Sequence, residues 1–261
     1  MSSYHALAGT YDALTGDVGY EKRADFLEKL FQKSHIPVKT VLDLACGTGT
    51  MTWILTGRGY ELIGVDASEE MLAAAMGKSG SVDGVAPIFL HQSMPKLDLY
   101  GTVDAAICCL DSLNYLTDPK DVQRTFARLH LFVAPGGVLI FDINTVEKLA
   151  ALDGQVFLDE TEDTYCVWRP EYRRGICTYY LDLFQLQPDG SWERDFEMHR
   201  ERAYTVEELT AWLEAAGFGE IRTYGDGKLR RPAEGEQRIL SLKPLSISTV
   251  ASGLGASTVI G

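Results

Sequence analysis

What this sequence lacks narrows it first. No uncharged apolar run reaches the length needed to cross a membrane, so no spanning segment is expected. The opening MSSYHALAGTYD has no basic stretch followed by an apolar one and does not read as a secretory leader. Cysteine is scarce: Cys46, Cys108, Cys109, Cys166 and Cys177, an odd number with no CxxC spacing. That argues against a disulfide framework or a zinc site, and no metal is expected; reduced thiols in a cytoplasm fit better. Cys108-Cys109 sit within an apolar run and read as core packing. Basic charge is also in deficit, with 24 Lys+Arg against 37 Asp+Glu and a net charge of -13. A protein that grips a phosphate backbone brings clustered cations. Here there are Lys228-Leu229-Arg230-Arg231 and the pair Arg173-Arg174. The balance points away from nucleic acid and toward a small or cationic substrate, unless the acidity serves solubility alone.

What is present is enough apolar residue, 46% of 261, for one large domain or one domain with an insertion. Phe26, Leu27, Leu30 and Phe31 form one stripe of an amphipathic helix. Strand patterns then alternate with helices: TVLDLA (40–45), ELIGVD (61–66), APIFLH (86–91), VDAAICCL (103–110) and VLIFD (138–142). Ser68 caps one helix, and Asp118-Pro119 opens another. Such alternation means a parallel sheet covered on both faces. From about 145 the texture changes. Residues 155–203 carry β-branched and aromatic residues between turn signals and read as three or four antiparallel strands. A capping box at Thr205–Glu208 and a stop at Gly217 then mark one more helix. Strands near 219–225 and 236–243 follow, and the uncharged small-residue tail after them reads as unstructured.

The first strand runs into Gly47-Thr48-Gly49, a turn that lets backbone approach a ligand and offers a helix N-terminus. Asp66 ends the second strand and can accept both hydroxyls of an adenosine ribose, whether of NAD or of S-adenosylmethionine. Two details separate these. Thr52 stands where a dinucleotide turn carries its third glycine. Asp43 lies inside the first strand, where an anion would repel a pyrophosphate but attract an ammonium. Asp43 could instead only hydrogen-bond the next loop.

VLDLACGTGT, GVDASEEML, ICCLDSLNYL and VAPGG, in this order, resemble the successive motifs of class I S-adenosylmethionine-dependent methyltransferases, over about residues 1–243. Tyr4, Tyr11 and Asp12, with the inserted strands, are similar to a bacterial small-molecule subgroup that includes amino-sugar N,N-dimethyltransferases. The resemblance implies an α/β Rossmann-like fold: a seven-stranded sheet of order 3-2-1-4-5-7-6, helices on both faces, and an inserted antiparallel lid. Residues 1–144 and 204–243 would bind the cofactor, 145–203 would form the lid, and 244–261 the tail. Asp43, Ala45, Gly47 and Gly49 would hold the methionine end, and Asp66 the ribose. Ala67, Met71 and the Gln92-Ser93-Met94 segment would surround the adenine, with Ser93 where relatives often have Asp. Leu110 would lie under the cofactor, and Tyr11 and Tyr20 would close over it or simply pack.

Methyl transfer needs alignment more than acid–base machinery, and no triad is visible. Asp111, Asn114, Tyr115 and Asn144 are the candidate acceptor residues, with Tyr115 and His199 as candidate catalytic groups. In DFEMHRERAY, alternation puts Glu197, His199 and Glu201 on one strand face. His199 reads as a base in the lid or a surface histidine, with the surface reading favoured. Trp168 and Trp192 could line the pocket or fill the core of the inserted sheet. The expected partner is a small molecule, not nucleic acid or membrane, and the chain is expected to be a cytoplasmic monomer or homodimer. S-Adenosylhomocysteine would be the product. Rival readings are an NAD-dependent oxidoreductase, a methyltransferase of RNA or protein, and a non-catalytic binder.

Overall fold

The structure is a computed structural model, and it describes residues 9–78, 85–219, 221–233, 235–236 and 238–244. Tyr4 and the tail after Pro244 lie outside these. A short helix α1 (Tyr11–Leu14) leads into α2 (Tyr20–Phe31). Then come β1 (Thr40–Leu44), α3 (Thr50–Gly57), β2 (Glu61–Asp66), α4 (Glu69–Gly77), β3 (Ile88–His91) and β4 (Val103–Cys108). After α5 (Pro119–Phe132), β5 (Val133–Asn144) and α6 (Val146–Ala151), four strands follow without a helix: β6 (Phe157–Glu160), β7 (Thr164–Arg173), β8 (Ile176–Leu186) and β9 (Trp192–Arg202). The described chain closes with α7 (Val206–Ala215), β10 (Arg222–Gly225) and β11 (Arg238–Pro244).

The first five strands are parallel, as the alternation leads one to expect, and run in the order 3-2-1-4-5 that the resemblance implies. β11 pairs antiparallel with both β5 and β10, so the central sheet runs β10-β11-β5-β4-β1-β2-β3. The period-two rule sorts each strand's residues between two cores. Val41, Ala105, Ile107, Val138 and Ile140 pack against Phe26, Leu27, Leu30, Met51 and Leu55 of α2 and α3. Leu42, Leu44, Ala106, Leu139 and Phe141 pack on the other face against Val122, Phe126, Leu129, Leu209 and Leu213 of α5 and α7.

The local signals act as expected. Ser68 Oγ accepts from the Met71 N–H, Asp118 caps α5 through the Lys120 N–H, and Thr205 with Glu208 forms both halves of a capping box. The inserted strands make a separate antiparallel sheet, β6-β7-β8-β9. It lies on α1, with Tyr11 and Leu14 packed against Cys166, Leu181, Leu183, Trp168 and Tyr179.

Candidate active site

Ligand space in an open α/β sheet lies beyond the carboxyl ends of the strands. There, a cavity of about 460 Å3 is walled by the ends of β1, β2 and β4, the glycine turn, and the amino-terminal segment. Its size falls in the range of small-molecule sites. Tyr11, Tyr20, Asp43, Ala45, Gly47, Asp66, Ala67, Met71, Gln92, Ser93, Met94, Leu110 and Tyr115 all line it. Cys46, Thr48, Thr50, Met51, Val65, Ser68, Cys109, Ser112 and Leu116 complete it, none of them expected from sequence to be a site residue. Most of these neighbour a singled-out residue and could have been found by extending each motif by one position. Cys108 is buried and Cys109 packs against the core, as the pair was read, but Cys109 also reaches the cavity wall.

The turn is built from strained backbone. Ala45 at φ 59, Gly47 at φ 55 and Gly49 at φ 70 are left-handed. Gly49 does not line the cavity. A Cβ there would stand 2.9 Å from Ala75 Cβ and 3.1 Å from the Phe89 ring, so this glycine lets α4 and β3 close onto the turn.

Two carboxylates face the cavity. Asp43 is 3% exposed, and its Oδ2 accepts the Thr52 hydroxyl at 2.6 Å. Thr52, in the place of a third glycine, thus orients the strand carboxylate, and Asp43 bonds this helix side chain rather than loop backbone. Burial pushes the Asp43 carboxyl up to about 6, and the nearby Asp66 pushes the same way. An ammonium group is what this buried acid would favour. Asp66 Oδ2 accepts the Gly47 N–H at 2.8 Å and Oδ1 the Ser68 N–H at 2.9 Å. The carboxylate is locked in plane with free lone pairs left for two hydroxyls. Burial raises its pKa as well.

The amino-terminal segment is tied to the turn through Asp12. Its Oδ1 accepts from the Thr48 hydroxyl at 2.7 Å and the Thr50 hydroxyl at 3.1 Å, and Lys78 Nζ reaches its Oδ2 at 2.5 Å. This holds Tyr11 and Tyr20 over the cavity. Burial raises the Tyr11 phenol well above its ordinary range and raises that of Tyr20, so both stay neutral.

Besides Gly49, four predicted residues lie elsewhere. Asp111, Asn114, Asn144 and His199 do not line this cavity. Asn114 is fully buried; its Nδ2 donates to the carbonyls of Asn144 and Arg202, and its Oδ1 accepts the Asn144 N–H. Asn144 Nδ2 donates to Glu201 at 2.9 Å while its Oδ1 takes Lys148 Nζ at 2.8 Å. Leu110 and Asp111 have φ of 58 and 54, and Asp142 of β5 holds both by accepting their N–H groups at 3.1 and 2.6 Å. Arg238 of β11 bonds Asp142 at 2.9 Å and Asp111 at 2.6 Å.

The surface reading of His199 is overturned: its side chain is fully buried. Its Nε2 lies 2.8 Å from Glu197 Oε2, and its ring stands edge-on to Tyr115 with centroids 6.0 Å apart. The alternation along β9 was correct, but its sense is inverted. Glu197, His199 and Glu201 are buried toward the cavity side, while Phe196 and Met198 face solvent. Burial, then Asp111, pushes Glu201 up to about 8. Trp168 shares the inner face, 6.3 Å from the His199 ring, and its indole N–H is buried with no hydrogen-bond partner among the described residues. Trp192 lies on the outer face, 44% exposed, and does not line this cavity.

Comparison with known proteins agrees with this geometry. Residues 41–137 match the family model of a methyltransferase domain. The chain is 32% identical over 240 residues to a putative methyltransferase, YqeM, of Bacillus subtilis, covering 90% of this chain and 94% of that one. A glycine/sarcosine N-methyltransferase of Halorhodospira halochloris is 28% identical over 203 residues, 72% of this chain and 68% of that one. A solved S-adenosylmethionine-dependent methyltransferase of Clostridium acetobutylicum superposes with a TM-score of 0.83 at 29% identity, covering 93% of this chain and 99% of that one.

Proposed function

The chain belongs to the S-adenosylmethionine-dependent methyltransferases, and from that premise we propose that it methylates a small molecule at nitrogen or oxygen. S-Adenosylmethionine is the cofactor; when bound, it supplies a methyl group on a sulfonium, ready for in-line displacement. In our reading Asp43 and the Ala45–Gly47 backbone hold its amino-acid end, and Asp66 its ribose hydroxyls. Ala67, Met71, Gln92, Ser93 and Met94 flank the adenine. Gln92 is itself fixed by both side-chain ends to the backbone of Asp98, at 3.0 and 2.8 Å, so it would shape that wall rather than reach out. Gly49 keeps the turn closed, and Leu110 forms the floor.

The acceptor is assigned to the space between Tyr115 and the inner face of the inserted sheet. The observation that carries this reading is the polarity of that face. Beside the apolar Cys166, Leu181 and Leu183, the inner face also turns Trp168, His199 and Glu201 inward near the cavity wall. Polar groups buried there need a polar partner, and the unpartnered indole N–H of Trp168 is a donor for one. Tyr115 would align the acceptor, with His199 behind it in a position to take up its proton. Asp111, held by Arg238, would support the acceptor wall from behind, while Asn114 and Asn144 position the backbone around it. A cavity of about 460 Å3 in a chain of net charge -13 favours a small acceptor over RNA.

The test is S-adenosylhomocysteine release from S-adenosylmethionine with three acceptor sets: small amines and alcohols, bulk tRNA, and a protein extract. Turnover with the first set alone supports the proposal. Turnover with tRNA or protein alone sinks it, and cofactor binding without turnover by any set makes the chain a binder.

A further inference from the structure

Apart from the cofactor cavity, the described residues enclose a second cleft of about 470 Å3. It lies between α6 and the loop that joins β10 to β11. Lys148 comes from α6, Asp226 and Lys228 from the turn after β10, and Glu236 and Arg238 from the entry to β11. The loop is closed by its own bonds. The Gly225 N–H donates to the Arg230 carbonyl at 3.1 Å, the Ala233 N–H to Glu236 Oε2 at 3.1 Å, and Arg230 pairs with the same carboxylate at 3.0 Å. Gly225 permits that closure, since a Cβ there would stand 3.0 Å from Glu236 Oε2 and 3.1 Å from Arg230.

The charges that line the cleft are unequally satisfied. Both acids already have a cation: Arg23 holds Asp226 at 3.2 Å, and Arg230 holds Glu236. The two lysines do not share in this. Lys148 Nζ donates to the neutral amide oxygen of Asn144 at 2.8 Å, and among the described residues neither Lys148 nor Lys228 is ion-paired with a carboxylate. Arg238 uses two of its five N–H groups on Asp142 and Asp111, at 2.9 and 2.6 Å, which leaves donors for a further oxygen. Burial, then Arg238, lowers the Lys148 ammonium. A cation taken out of water beside another cation favours an added counter-charge. Over most of its surface a chain of net charge -13 repels anions. Three cations meeting in one cleft, with its acids already neutralised, are the exception.

We propose that this cleft binds a small multivalent oxyanion, a phosphate or a carboxylate, through Lys148, Lys228 and Arg238, and that its occupancy tightens cofactor binding. The binding site stands by itself; the coupling rests on the cofactor reading above. Arg238 is the link. The carboxylate of Asp142 that it holds also accepts the N–H groups of Leu110 and Asp111 at the cofactor floor. An anion between Arg238 and Lys148 removes their mutual repulsion and keeps Arg238 on its two carboxylates. The effect is reciprocal, so cofactor and anion raise each other's affinity by the same factor.

Isothermal titration of the protein with pyrophosphate and with citrate, at constant ionic strength, tests this, first without and then with saturating S-adenosylhomocysteine. The expected result is binding of one equivalent with a submillimolar Kd. It weakens at least tenfold in Lys228→Glu and in Lys148→Gln, but not in the control Lys33→Gln, an exposed position just past α2. The tighter of the two anions tells phosphate from carboxylate. With the cleft filled, the Kd for S-adenosylhomocysteine should fall about threefold, and Lys228→Glu should abolish that gain. Lys228 is exposed in a turn, so this variant serves if Lys148→Gln does not fold. The proposal is overturned if neither anion binds at up to about 10 mM, if binding is unchanged in folded Lys228→Glu, or if the anion competes with S-adenosylhomocysteine. Anion binding that leaves the cofactor Kd unchanged overturns the coupling. Failure of S-adenosylhomocysteine to bind at all would count against the methyltransferase reading, and the titration without cofactor would still decide the cleft.

Discussion

Asp43 sits in a state that water would not favour. Its carboxyl is pushed up to about 6 by burial, so the folded, ligand-free protein keeps a proton that the unfolded chain gives up near its ordinary carboxylate pKa. Between those two values the unfolded state binds fewer protons, and this group's contribution to stability falls as pH rises, levelling off above about 6. A bound ammonium reverses the preference. Affinity for S-adenosylhomocysteine should therefore drop as pH falls below about 6, with a proton released on binding. Isothermal titration from pH 5 to 7.5 checks this, and in Asp43→Asn the pH dependence should vanish. Asp66→Ala should weaken the same ligand by about 100-fold, since hydrogen bonds to a charged group are worth ~1.5–3 kcal/mol. Gly49→Ala acts through a different cause. Its Cβ would meet Ala75 at 2.9 Å in a left-handed backbone, and urea unfolding should show a loss of roughly 1–3 kcal/mol.

Elements came through the sequence best where a local cause sets them. Ser68, Asp118 and Thr205–Glu208 mark helix starts with their own side chains, and the structure uses each one. Thr205→Ala should cost ~1 kcal/mol in chemical denaturation, by removing half of that capping box. Gly47 and Asp66 line the cavity for a similarly local reason: both follow strand ends at a spacing the sequence shows. The sense of β9 was not legible. Alternation fixes that Glu197, His199 and Glu201 share a face but not which way it turns, and the rule that charge faces water pointed wrongly. Asn114 and Asn144 misled similarly. Their positions after strands suited an acceptor site, but the Asn114 amide goes to backbone 30 and 88 residues away in sequence and the Asn144 amide to the side chains of Glu201 and Lys148, contacts that few local patterns encode. Asp12 was read as part of a motif without its purpose. Asp12→Ala should release α1 from Lys78, Thr48 and Thr50, visible as faster hydrogen exchange in α1 and faster release of S-adenosylhomocysteine.

At the scale of the whole molecule, β11 is the piece that local reasoning could not place. It lies between β5 and β10, antiparallel to both, and Arg238 at its start reaches Asp142 and, through it, the left-handed pair Leu110–Asp111. Each of those two residues costs ~1–2 kcal/mol in that backbone. The strain at the cofactor floor is thus held from the far end of the described chain. This orders events on the ribosome. The strands and glycine turn that form most of the cofactor cavity are synthesised in the first half of the chain. The brace that fixes their floor emerges only with residue 238. A nascent chain stalled before that point would carry a nearly complete binding motif with an unset base, so cofactor capture should come late in translation, after the last strand has slipped between two already made.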